Sequence, residues 1–185
     1  MHVQTILTVV IGVGLVGGVA HSGEQPGLPD HVRASGDYMV GCWSGVGESQ
    51  GQPATMQLTM RWAPGNQHQL YDWIITTSDG ARVFGNAVGG LDRNRNRWVE
   101  YMIESDGSHW TNWWPESLEG DVANTRYHGE QFGYRNGELV KVATLTLERR
   151  GPDEWTFEVE TVESPPQVLL SMTFRRDKEG EPTED

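Results

Sequence analysis

From Thr55 onward, apolar and polar residues take turns with a period of two. Met56, Leu58, Met60 and Trp62 alternate with Thr55, Gln57, Thr59 and Arg61, and Tyr71, Trp73 and Ile75 flank Asp72 in the same rhythm. Val99, Tyr101 and Ile103 alternate with Glu100 and Glu104, and Trp155, Phe157 and Val159 with Thr156, Glu158 and Glu160. Val168, Leu170, Met172 and Phe174 close the series. Side chains of a strand repeat every two residues, so each segment has one apolar and one wet face, as antiparallel sheets do. Period-3.6 patterning is nearly absent. The pattern predicts an all-β domain with little helix outside short turns.

The residues between these segments agree. Ser78-Asp79-Gly80, Ser105-Asp106-Gly107 and Arg135-Asn136-Gly137 supply positions that tolerate positive φ, as tight hairpins require. Pro64-Gly65-Asn66, Gly151-Pro152-Asp153 and Ser164-Pro165-Pro166 mark three further reversals. About ten strands fit at this spacing. A meander of hairpins whose first and last strands meet has no exposed edge, which favours an antiparallel up-and-down barrel. The longest stretch without a strand pattern, Glu116 to Asn124, reads as a loop.

The ends of the chain stand apart. Residues 1–20 hold an uncharged apolar run closed by Gly18-Val19-Ala20, too short for a comfortable membrane span of about 20 apolar residues. They are expected to be a cleaved signal peptide, with export to the periplasm or the extracellular space. Residues 21–35 read as a flexible Gly/Pro/Ser-rich lead-in, 36–176 as the barrel, and 177–185 as a disordered acidic tail. Within the run, Gly12-Val13-Gly14-Leu15-Val16-Gly17 matches the dinucleotide fingerprint, but Pro26 and Pro29 break the helix it needs and no βαβ unit follows. Net charge is −12 with no basic cluster, so nucleic acid and acidic membranes are poor partners. A single cysteine, Cys42, excludes an intrachain disulfide and reads as a small buried hydrophobe.

Gly41-Cys42-Trp43-Ser44-Gly45-Val46-Gly47 opens the first strand. With Trp62-Ala63-Pro64, Gly89-Gly90-Leu91-Asp92, Glu104-Ser105-Asp106-Gly107 and Met172-Thr173-Phe174-Arg175-Arg176, it resembles lipocalins and the wider calycin group, and in particular exported bacterial lipocalin-like proteins. The resemblance implies that Trp43 closes one barrel end under an arginine of the last strand, with Gly41 giving backbone room. Parity selects the arginine: Arg176 is in phase with Leu170, Met172 and Phe174, whereas Arg175 points outward. The opening motif also resembles nitrobindin-like haem-binding barrels. Their proximal His on a late strand has no counterpart in Gln167 to Met172, and Met172 in an alternating apolar face reads as packing. No cofactor is expected.

Eight tryptophans are many for one small domain, and three fall in His109-Trp110-Thr111-Asn112-Trp113-Trp114. As a strand, this segment puts Trp110, Asn112 and Trp114 on one face and Trp113 on the other. Trp62, Trp73, Tyr101, Trp110 and Trp114 are therefore the candidate ligand-binding residues for a small apolar or aromatic molecule, by analogy with the resemblance. Two other readings stay open. A filled barrel serving as an interaction module would have no cavity. An acid–base enzyme would hold a buried carboxylate beside His109 or His128. Glu100 and Glu104 fall on the wet phase of their strand and read as solvated, and no catalytic residue is assigned. His68, His109 and His128 lack metal-ligand spacing, so no metal site is expected.

Overall fold

The computed structural model describes residues 27–115 and 124–178. The expected signal peptide, residues 21–26 of the lead-in, most of the 116–124 loop and the tail beyond 178 lie outside the described residues. A short helix, α1 (Asp30–Met39), is followed by ten strands: β1 (Gly41–Ser49), β2 (Gln52–Trp62), β3 (His68–Thr77), β4 (Arg82–Asp92), β5 (Arg97–Glu104), β6 (His109–Trp113), β7 (Arg126–Arg135), β8 (Glu138–Arg149), β9 (Glu154–Thr161) and β10 (Val168–Arg176). Each pairs antiparallel with its chain neighbours, and β1 pairs with β10, giving a closed up-and-down barrel. The all-β expectation holds in class, architecture and strand number.

Turn chemistry fixes the hairpins. Asn136 and Gly137 have φ of 54° and 84° between β7 and β8, and Gln50 and Gly51 have 51° and 76° between β1 and β2. Both are two-residue loops with positive φ at each central position, the geometry that matches strand twist. Register shifts break the ladders at Gln131/Phe132 and at Val168/Leu170.

Tryptophans fit into this wall because small residues face them. A methyl group at Gly85 would stand 2.0 Å from the Trp73 indole, one at Gly129 2.8 Å from Trp114, and one at Gly133 2.8 Å from Trp110. Each indole crosses to a neighbouring strand that has no side chain in the way, consistent with glycine marking close approach in strands.

The helix corrects one expectation. Residues 30–35, assigned to a flexible lead-in, form the first half of α1. Val32, Ser35, Gly36 and Met39 are buried at helical spacing, with Val32 only 2% exposed. The helix sits across one barrel end. Gln69 Nε2 donates to Gly36 O at 2.7 Å, and the Arg149 guanidinium donates to Ser35 Oγ at 2.6 Å.

Candidate functional site

The end under α1 is sealed. Trp43, fully buried, donates its indole N–H to Met39 O at 2.9 Å. Arg176, its register partner, lies with its guanidinium carbon 4.1 Å from the Trp43 ring centroid. The same guanidinium donates to Val40 O at 2.6 Å and Tyr38 O at 2.7 Å, so it ties β10 to the helix–β1 junction. Gly41 is required twice over: its φ is 135°, and a methyl group there would stand 2.7 Å from Arg176 Nη1. Arg175 points outward to Glu154 at 3.1 Å, its side chain 78% exposed.

Beneath this seal the barrel is hollow, with a cavity of about 300 Å³, at the lower end of the range for small-molecule sites. Its wall is mostly apolar, from residues such as Met56, Leu58, Met60, Trp73, Phe157 and Leu170. At the end away from α1 its rim includes Ser49, Gln50, Glu104 and Trp110, and no described helix covers that end.

Polar groups gather on the β5–β7 side. Asn112 Nδ2 donates to Glu100 Oε2 at 3.1 Å, and Gln131 Nε2 donates to Asn112 Oδ1 at 3.2 Å. Tyr71 donates to Gln69 Oε1 at 3.0 Å and accepts from Trp98 Nε1 at 3.3 Å. Trp114 Nε1 is buried without a partner of good geometry among the described residues, yet it lies close enough to Glu100 to draw its pKa down. Burial outweighs these donors and raises the Glu100 carboxyl above the usual range. Tyr71 is pushed well up by burial and by the adjacent Glu100. Nearer the mouth, Glu104 Oε2 accepts from Ser108 Oγ at 2.8 Å and Trp110 Nε1 at 3.3 Å.

Of the five candidate ligand-binding residues, the structure brings Trp73, Trp110 and Trp114 to the cavity wall. Trp62 stands at the sealed end, where its indole donates to Asp37 at 2.7 Å beneath Arg33, and is not part of the lining. Tyr101 is a correction: it is 61% exposed on the outer face. β5 has the reverse of the expected phase, with Trp98, Glu100, Met102 and Glu104 lining the cavity and Tyr101 and Ile103 outside. Glu100 and Glu104 are thus interior, not solvated on the outer face. Cys42 is exposed, not buried, because it lies out of phase with Trp43 on β1. His68, His109 and His128 are all exposed, and among the described residues no cluster of His, Cys, Asp or Glu could hold a metal. Sequence reasoning missed Trp98 and Gln131, and it placed Glu100 on the wrong face of its strand. The one available signal was that Trp98 and Met102 share parity with Glu100.

No family model matches this chain, and no curated protein does. Among solved structures, the chain is similar to Rv2717c from M. tuberculosis, with TM-score 0.58 and 15% identity, covering 82% of this chain and 99% of that one. It also matches a de novo designed fluorescence-activating β-barrel, with TM-score 0.44 and 18% identity, covering 78% of this chain and 98% of the design. At this level of identity, the likeness to Rv2717c is one of fold alone.

Proposed function

We propose that this chain is an exported lipocalin-like carrier or receptor that binds a small, mainly apolar or aromatic molecule inside its barrel. The observation that carries the reading is the apolar cavity of about 300 Å³ with a few convergent polar groups on one side, the usual composition of a small-molecule site. A filled interaction module would not keep such a space. An acid–base enzyme finds an interior carboxylate in Glu100, but His109 and His128 stand outside the barrel. Lipocalin kinship rests on the opening Gly-x-Trp and the Trp43–Arg176 closure. Export, with cleavage near Ala20, rests on the apolar run of residues 6–19.

Fluorescence titration with phenethyl alcohol tests the binding claim. Ligand in the cavity is expected to quench tryptophan emission saturably, and Trp110→Ala to weaken binding by about tenfold, the size of one lost aromatic contact of roughly 1.4 kcal/mol. A varied panel of small apolar probes without saturable binding would contradict it. N-terminal sequencing of the mature protein tests export, and Met1 as the first residue would contradict cleavage.

A further inference from the structure

The cavity holds a carboxylate that its surroundings do not neutralise. Glu100 is half-buried on β5, facing into the cavity, and the groups that act on it are neutral donors: Trp114 and Asn112 on the β6 side, Tyr71 on β3 and Trp98 on β5. The titratable residues sharing the cavity are Tyr71, Glu104, Tyr127 and Arg149. Among the described residues that line the cavity, Arg149 is the only Lys, Arg or His. It is committed at the sealed end, 4.4 Å from the Tyr38 ring centroid, 5.0 Å from that of Tyr127, and bonded to Ser35. The interior therefore offers two carboxylates against one arginine that is already engaged.

Donors without a cation leave an ionised carboxylate costly in an apolar space. The same space is walled by aromatic rings, among them Trp73, Trp98, Trp110, Trp114 and Phe157. Ring faces attract cations and suit ammonium groups in particular. A neutral guest leaves the Glu100 charge unbalanced, an anionic guest adds to it, and a cationic guest cancels it.

We propose that the barrel selects organic cations, molecules with an apolar or aromatic body and an ammonium group that takes Glu100 as its counter-charge within the aromatic wall. This rests on the reading of the cavity as a ligand site and names the class of ligand. Burial, which raises the Glu100 pKa, also ties selectivity to pH: protonated Glu100 has no charge to offer.

Isothermal titration of the full chain with phenethylammonium, phenethyl alcohol and phenylacetate at about pH 8 tests the proposal. The ammonium is expected to bind at least about tenfold more tightly than the alcohol, and phenylacetate most weakly. Glu100→Gln is expected to bring ammonium and alcohol within about twofold of each other. A second measurement needs no variant: wild-type affinity for benzyltrimethylammonium, whose charge is fixed, should fall as pH is lowered from about 8 towards 5. Alcohol binding as tight as the ammonium, or a fixed-charge affinity indifferent to pH, would overturn cation selectivity and leave the ligand-binding reading intact. If none of the three probes binds, both readings fall.

Discussion

Arg175 and Arg176 are chain neighbours with opposite surroundings. Arg176 covers Trp43 and satisfies two backbone carbonyls at the helix–β1 junction, while Arg175 meets Glu154 at the surface. Removing Arg176 exposes the indole and leaves both carbonyls without their donor, so Arg176→Ala is expected to cost about 2–4 kcal/mol. Arg175→Ala should stay within about 0.5 kcal/mol. Chemical denaturation of the two variants checks this, and coupling to Trp43→Phe should appear only for Arg176. Glu100 gives a prediction of opposite sign. Its carboxyl binds a proton more tightly in the folded than in the unfolded chain, because burial raises its pKa. Stability therefore falls as pH rises from the unfolded pKa through the folded one. Glu100→Gln removes that loss. Thermal melts should show the variant more stable than wild type near pH 8, with the gap closing on acidification. A gap independent of pH would mean that Glu100 titrates normally.

At the scale of elements, legibility in the sequence depended on where the polar residues go. β10 could be phased because Leu170, Met172 and Phe174 all face inward, and Arg176 follows in register. β5 could not, because its interior face carries Glu100 and Glu104 while Tyr101 and Ile103 lie outside, 61% and 66% exposed. Interior polarity there inverts the pattern that marks a core, and such local contradictions concentrate at functional sites. α1 escaped notice because it is short and follows a Gly/Pro-rich stretch, although Val32, Ser35, Gly36 and Met39 keep helical spacing. Its docking makes a test. Gly→Ala inside a helix normally gains up to about 1 kcal/mol. A methyl group at Gly36 would stand 2.5 Å from the Trp62 ring. That ring is held by Asp37 and Arg33 and meets Trp98 edge-on, so it cannot move without losing those contacts. Overpacking of about 1–3 kcal/mol should win, making Gly36→Ala net destabilising in urea unfolding. A stabilised variant would show that α1 packs more loosely on the barrel.

At the scale of the whole molecule, the barrel uses most of its tryptophan to build a wall, not to fill the interior. Indoles crossing over Gly85, Gly129 and Gly133 lie along the barrel wall, and a space of about 300 Å³ remains inside. Alternation along His109–Trp113 shows which tryptophans of β6 face inward, but not whether the interior is open. That depends on the glycines of β4 and β7, which matter only once strand pairing sets them opposite the rings. The central claim is that small molecules bind inside this space. Indole N–H resonances of the ¹⁵N-labelled protein titrated with phenethyl alcohol test it most directly. Trp73, Trp110 and Trp114 line the cavity, whereas Trp113 packs outside between Arg97 and Phe132. The signals of Trp73, Trp110 and Trp114 should shift together along one binding isotherm while that of Trp113 stays in place. Shifts confined to Trp113, or no shift at saturating ligand, would contradict an interior site.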